Sequence, residues 1–382
     1  MVYPRRVRAG MIGGGQGAFI GQVHRMAARL DGDVDWVCGA FSRDAENNHV
    51  TGHALYLPDA RLYDDWQALI EKESQLPVDQ RVQLLVIVTP NHLHVPIATA
   101  ALAAGIHAFS EKPAGVSFAE VRELSKALES SGRLYGLSHT YIGYPLVWQA
   151  REMVARGELG RLRKIHVEYP QSWLGDAEDD PNAWRADPAR SGAGGCLGDI
   201  GTHAFNLAEF VSGHHIDALC ASLGIHAPGR QLDDDVDLLF RTAEGASGSL
   251  IASQICSGEE NGLKLRVYGE RGGLEWHQME PNTLLHRPQN APARILRAGI
   301  DHPALYPAAQ HRLRLPGGHP EGYLEALGNL YRDFAAAIRG QAMGTPPGVP
   351  GIESALRGMA FVETALASQH SADKWVPLTL DP

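Results

Sequence analysis

The stretch from residue 7 to 21, VRAGMIGGGQGAFIG, constrains the fold of this chain more than any other. Residues 7–12 form a short apolar run of the kind that becomes a buried parallel strand. The run meets Gly13-Gly14-Gly15-Gln16-Gly17-Ala18-Phe19-Ile20-Gly21, after which Ile20, Val23, Met26, Ala27 and Leu30 recur at helical spacing. A strand, a glycine turn and a helix N-terminus, in that order, present backbone amides and the positive end of a helix dipole. That is an anion site suited to a dinucleotide pyrophosphate. The spacing around Gly15 and Gly17 is GxGxxxG rather than GxGxxG, and a plain tight turn is the alternative reading.

The same alternation continues. Residues 34–41 read as a second strand, 66–72 as a helix piece and 84–88, LLVIV, as a strand covered on both faces. Residues 96–104 form a small-residue helix closed by Gly105, 107–109 a further strand and 116–129 another helix. Strands alternating with helices predict an α/β fold with a doubly wound parallel sheet. Ligands of such sheets sit beyond the strand carboxyl ends. The glycine turn, Thr89-Pro90-Asn91-His92-Leu93-His94 and Glu111-Lys112-Pro113 are therefore expected around one crevice. At the end of the second strand an acidic residue usually takes the adenosine ribose. Here the sequence reads Ala40-Phe41-Ser42-Arg43-Asp44. Ser42 and Arg43 could accept a 2′-phosphate and Asp44 stands far along, so both NAD and NADP remain open.

A second landmark is 194–213, GGCLGDIGTHAFNLAEFVSG, which carries helical periodicity and stops at Gly213. Asp199 and His203 stand four apart, and on a helix that spacing puts them on one face. A carboxylate beside an imidazole can fix a tautomer and raise its basicity. The plainer alternative is a helix-capping aspartate and a core histidine. Around this landmark, residues 146–156 read as a helix, and 164–169, 218–226, 235–241, 248–256, 264–269 and 272–276 as strands of a broad antiparallel sheet. Residues 171–188 make a long polar connection bearing Trp173, Trp184 and Arg185. An aromatic wall with a forked donor suits a polyol ring; a surface loop pinned by tryptophans is the alternative. Residues 281–320 show little periodicity and end near His319. Helices follow at 323–339 and 353–368, with 346–350 between them.

The 382 residues suffice for two domains, expected over 1–138 and 139–382. A net charge of −10 argues against nucleic acid and anionic membranes as partners. No apolar run reaches membrane-span length and no signal sequence is evident. Cys38, Cys196, Cys220 and Cys256 form no CxxC and read as reduced thiols, which makes the cytoplasm the default location.

Taken together, the glycine turn, residues 89–94, Glu111-Lys112-Pro113 and Gly198-Asp199-Ile200-Gly201-Thr202-His203 resemble the Gfo/Idh/MocA oxidoreductases, in the family's order and over nearly the whole chain. Three further stretches resemble the branch acting on scyllo-inositol and L-glucose with NAD: Val23-His24-Arg25 after the glycine turn, residues 184–188 and residues 317–322. The absent ribose aspartate departs from the typical inositol dehydrogenases.

The resemblance implies an N-terminal Rossmann domain and a C-terminal α/β domain with a large, mostly antiparallel sheet that builds dimers or tetramers. It maps the family's lysine, aspartate and histidine onto Lys112, Asp199 and His203, and sets Pro113 against the nicotinamide. The expected activity is oxidation of a ring hydroxyl of a cyclitol or sugar, with NAD first and NADP admitted. His203 is assigned as base, Asp199 as its orienting partner and Lys112 as donor to the reacting oxygen. The expected cofactor contacts are Gly13, Gly15, Gln16, Gly17, Ala18, Phe19, Ile20, Ser42, Arg43, Thr89, Pro90, Asn91, His94, Glu111 and Lys112. Substrate contacts add Tyr141, Trp184, Arg185 and His319, the last offered to a neighbouring subunit's pocket. The chain shows no HExxH, and this chemistry calls for no metal. Two other readings stay open: a glycosidase that oxidises its substrate transiently on bound NAD, and a non-catalytic dinucleotide-binding regulator.

Overall fold

A computed structural model describes residues 6–174, 184–340 and 348–380. The chain divides into two compact units, Met1–His139 with Leu327–Leu356, and Thr140–Ala326 with Arg357–Pro382.

The first unit runs β1 (Val7–Gly13), α1 (Phe19–Ala27), β2 (Val34–Ala40), α2 (Ala45–His53), α3 (Trp66–Gln75), β3 (Leu84–Val88), α4 (His94–Ala103), β4 (His107–Ser110), α5 (Phe118–Ser131) and β5 (Tyr135–Leu137). The five strands pair in parallel in the order β2-β1-β3-β4-β5. Every residue of β3 is buried, as helices on both faces require. The order reverses between β1 and β3, and a doubly wound sheet takes its ligand beyond the carboxyl ends at such a point. Helix α2 is amphipathic in an unusual sense: the residues it buries are Asn48, Thr51 and Gly52. Asn48 accepts from the Phe41 amide at 2.8 Å and donates to the Tyr63 carbonyl at 3.0 Å, so hydrogen bonds rather than apolar contacts fix this helix.

The second unit begins with α6 (Pro145–Ala155), β6 (Leu162–Pro170) and α7 (Pro188–Ser191). A π-helical turn, Leu197–Gly201, then leads into α8 (Thr202–Ser212). There follow β7 (Ile216–Gly224), β8 (Asp235–Thr242), β9 (Ser247–Ser253), β10 (Lys264–Gly269), β11 (Gly272–His277), β12 (Thr283–Pro288), β13 (Arg294–Arg297), α9 (Pro307–Gln310), α10 (Tyr323–Ile338), α11 (Ile352–His370) and β14 (Val376–Pro377). These nine strands form one sheet, β13-β12-β11-β10-β6-β9-β8-β7-β14, antiparallel throughout except for the β6/β9 pair. Along β8 burial alternates residue by residue, so one face packs and the other faces solvent. The architecture is thus α/β, a parallel Rossmann sheet plus a large, mostly antiparallel sheet.

Three differences from the sequence reading have physical reasons. The excursion expected over 281–320 holds β12, β13 and α9. Strand β13, RILR, ends the sheet and is almost wholly exposed, so it leaves no alternating signature. The segment Leu327–Leu356 joins the first unit, where Tyr331 and Phe334 set their rings 5.1 and 5.5 Å from that of Phe109. The third concerns the helix expected through Asp199 and His203, whose first part is the π turn. Of the connection expected over 171–188, residues 175–183 lie outside the described residues, as do 346 and 347 of the break between the last helices. The four cysteines are free. Among the described residues no helix is long and apolar enough to cross a membrane.

Candidate active site

The candidate residues form two clusters, one in each unit. In the first, the β1–α1 turn is shaped by close approach. A Cβ on Gly14 would lie 2.8 Å from the Gly21 Cα, and one on Gly21 2.4 Å from the Gly14 Cα, so only glycines let the helix seat this close to the strand. Gln16 is held on both sides of its peptide. Its amide donates to Asn47 Oδ1 at 2.8 Å and Thr51 Oγ1 at 3.0 Å, and its carbonyl accepts from Asn47 Nδ2 at 2.9 Å. Arg25 donates to the Gly14 carbonyl. Ala18, the N-cap of α1, offers no side-chain hydrogen bond to the first-turn amides. A helix N-terminus without a capping side chain fits a pyrophosphate, and Phe19 beside it is 75% exposed.

At the end of β2, Ser42 Oγ accepts from the Asp44 amide at 3.1 Å. Asp44 Oδ1 in turn accepts from the Asn47 amide at 2.7 Å, which makes Asp44 the cap of α2. Arg43 is exposed.

The turns after β3 and β4 are tied together by His94. Its Nδ1 faces the Pro113 carbonyl at 2.7 Å and its Nε2 the Thr89 carbonyl at 2.8 Å. Burial lowers its pKa from the usual histidine value, with these two carbonyls opposing. Asn91 is buried in the short turn between them. The Lys112–Pro113 peptide is cis. Glu111 turns its carboxylate toward buried His24, Nε2 to Oε1 at 2.8 Å, and its other oxygen accepts from the Lys112 amide at 3.3 Å. His24 Nδ1 meets the Tyr331 hydroxyl at 2.6 Å. Burial pushes the Glu111 pKa up, but the hydrogen bond and charge of His24 and the charge of Lys112 outweigh it and hold it at about 2. Beside them, burial and then the Lys112 charge lower His139 to about 3. Glu111 is thus a carboxylate and His139 neutral at physiological pH.

In the second unit, Asp233 builds the landmark. Its two carboxylate oxygens accept from the Gly195 and Leu197 amides, both at 2.7 Å, and its carbonyl accepts from the Cys196 amide at 2.7 Å. These bonds anchor the start of the π turn, in which the Thr202 amide reaches back five residues to the Leu197 carbonyl. Such turns recur at functional sites. Asp199 stands on it, and its Oδ2 accepts from Gln254 Nε2 at 2.9 Å. His203, in the first turn of α8, is buried, with its ring edge-to-face on Tyr141 at 4.9 Å and tilted on Tyr169 at 6.5 Å.

The hydroxyls of Tyr141 and Tyr169 meet each other. Tyr169 donates to Asn261 Oδ1 at 2.6 Å, and Asn261 Nδ2 donates to the Tyr141 hydroxyl at 3.2 Å. Because Asn261 Oδ1 only accepts, donors run one way round this ring of three. Gln171 adds a bond to Asn261 Oδ1 at 2.8 Å and holds Trp173 Nε1 at 3.1 Å.

Trp184 and Arg185 lie in a short 3₁₀ turn, the guanidinium stacked 4.4 Å from the indole. His319 sits on an exposed tip whose base is clamped by buried Glu321, which accepts from the Arg314 and Leu315 amides at 2.6 and 3.0 Å. Its Nδ1 turns to the Pro316 carbonyl at 3.3 Å.

The sequence reading did not assign roles to His24, Tyr331, His139, Tyr169, Asp233, Gln254 or Asn261. His24 leaves one trace, a polar residue among the buried positions of α1. The others act over long sequence separations that spacing does not reveal.

Comparison with known proteins bears on both units. Residues 7–139 match the family model of the oxidoreductase family, NAD-binding Rossmann fold, and residues 147–275 that of the GFO/IDH/MocA C-terminal domain. An oxidoreductase from Sinorhizobium meliloti is 40% identical, with a TM-score of 0.88, over 98% of this chain and 100% of that one. An inositol dehydrogenase homolog from Azotobacter vinelandii, complexed with NADH and myo-inositol, is 33% identical with a TM-score of 0.90 over 98% of each chain. Levoglucosan dehydrogenase from Pseudarthrobacter phenanthrenivorans is 26% identical over 97% of this chain and 98% of its own length.

Proposed function

Because the chain belongs to the Gfo/Idh/MocA oxidoreductases, its first unit being their NAD-binding Rossmann fold, we propose that it oxidises a ring hydroxyl of a cyclitol or sugar. The observation that carries this reading is the full-length likeness to a homolog complexed with NADH and myo-inositol, combined with Lys112, Asp199 and His203 at the motif positions. Bound NAD supplies the hydride acceptor. The uncapped first turn of α1 binds its pyrophosphate, and the turns joined by His94 shape the nicotinamide side.

Lys112 donates a hydrogen bond to the substrate oxygen as negative charge develops there. His203 takes the hydroxyl proton on a ring nitrogen, and Asp199, oriented by Gln254, favours the imidazolium that results. The Tyr141–Tyr169–Asn261 ring and the Trp184–Arg185 stack serve substrate recognition.

In this reading, residues 1–138 bind the dinucleotide and 139–382 bind substrate and build a homo-oligomer, dimer or tetramer, in the cytoplasm. His319 on its exposed tip completes a neighbour's pocket. Mixing inactive Lys112→Ala and His319→Ala subunits under exchange restores part of the activity if it does; no recovery places the tip in its own subunit.

The direct test of function is an absorbance screen for NADH or NADPH over inositols, hexoses and anhydrosugars. Turnover with at least one polyol, and faster with NAD than NADP, is expected. NAD binding without turnover on any of them would return the chain to the regulator reading.

A further inference from the structure

Among the described residues, one group of three metal-ligating side chains converges: His49, His53 and Asp59, whose ligand atoms all lie within 4.8 Å of one another. We propose that these three residues form a surface site for a divalent transition metal of the zinc class, separate from the redox chemistry.

The backbone explains the convergence. His49 and His53 stand four apart on the last turns of α2, so their rings share a face, with centroids 5.7 Å apart. The helix then ends on Tyr56, the one described non-glycine residue at positive φ, +61°. The Leu57 amide reaches back to the Gly52 carbonyl at 3.1 Å and the Tyr56 amide to the His53 carbonyl at 2.9 Å. That reversal turns the chain back on the helix in the manner of a Schellman end, usually a glycine's place. Buried Leu57 anchors it. Asp59, opening the short turn Asp59–Arg61, is thereby returned over the two histidines.

Two imidazole nitrogens aim at one carboxylate oxygen. His53 Nε2 lies 2.6 Å and His49 Nδ1 3.4 Å from Asp59 Oδ1. In a tetrahedral site with ligand bonds of about 2.0–2.1 Å, neighbouring ligand atoms are roughly 3.3 Å apart, so side-chain adjustments alone admit the ion. Two nitrogens and one oxygen favour zinc, nickel, cobalt or copper over magnesium and calcium, which prefer all-oxygen sets. All three residues are exposed, so water completes the shell.

Calorimetric titration of the intact protein with Zn²⁺ tests the site. One equivalent is expected to bind, undisturbed by about a hundredfold excess of Mg²⁺. His53→Ala and Asp59→Asn should each weaken that equivalent by about tenfold or more, with NAD binding unchanged as the check on folding. Co²⁺ should give a visible absorption band that His53→Ala removes. Zinc uptake that both variants leave unaltered would assign the metal to other histidines and overturn the proposal. So would no uptake at all, or equal competition by Mg²⁺.

Discussion

The two candidate clusters are held in different ways. In the first unit most of the bonds join a side chain to backbone, the Glu111–His24–Tyr331 chain being the exception. His94 lies between two carbonyls, and Gln16 has both sides of its peptide bound by α2. In the second, side chains are fixed largely to other side chains: Gln254 to Asp199, Tyr169 to Asn261, Gln171 to Trp173. Backbone carbonyls survive any substitution, so a site built on them keeps its geometry while sequence drifts. A side-chain network can be rewired one residue at a time. The contrast fits a cofactor that stays the same across a family and substrates that do not.

In the proposed mechanism, the largest effects come from groups that move protons or charge. His203→Ala should slow oxidation by about 10²–10⁴ and flatten the rise of rate with pH, since the base must be unprotonated to act. A pH profile that keeps its shape in the variant would take the base role from His203. Lys112→Ala should cost about 10²–10³ in turnover, the range for one donor to a developing oxyanion, and leave NAD affinity intact. Loss of NAD binding instead would make this lysine a cofactor residue and blur the comparison.

Asn261→Ala should act more gently and elsewhere. Opening the Tyr141–Tyr169–Asn261 ring removes hydrogen bonds worth roughly 1 kcal/mol each, so KM should rise about three- to tenfold with little change in kcat. Equal losses in kcat and kcat/KM would show that the ring serves the chemical step.

Acidification tests the buried titratable groups of the first unit. Burial holds the folded pKa of His139 at about 3, below the ordinary histidine value of 6.5. The folded state therefore resists protonation, and the stability tied to this group, complete above pH 6.5, is lost as pH falls from there toward 3. Glu111, about 2 against 4.5, contributes stability above pH 4.5 that disappears as pH falls toward 2. Hydrogen exchange at decreasing pH should show the first unit losing protection in these two steps. His94 and His107, also lowered by burial, share the upper step, so His139→Gln should reduce it, and an unchanged upper step would assign it to those two histidines.

What the sequence displays and what it conceals follow the same line. The glycine turn, the apolar run of β3 and the motif around Lys112 are local, because each is a short stretch whose backbone must adopt one conformation. The broad sheet is legible through alternation along β8. Helix α2 is not, because AENNHVTGH buries asparagine, threonine and glycine and shows no apolar period. Nor is strand β13, whose exposed edge position needs none. Among the candidate residues, Lys112, Asp199 and His203 stand in recognisable motifs. Their supports do not: Glu111 finds His24 87 residues away, and His24 finds Tyr331 307 residues away. The π turn is hidden for another reason. Its cause is Asp233, beyond the turn in sequence, which reaches back to the Gly195 and Leu197 amides.

The bond between Gln16 and α2 has a consequence for how such an enzyme can be re-engineered. Asn47 and Thr51 grip the phosphate turn from a helix whose start is set by Asp44, only two residues after Ser42. Lengthening or shortening the connection after β2 would drag the helix, and the turn with it. On the proposal that Ser42 and Arg43 meet the adenosine ribose, exchanging one nicotinamide cofactor for the other should proceed through side-chain replacement at these two positions, at constant loop length. Grafting a whole loop from an enzyme of the other preference should cost affinity for both.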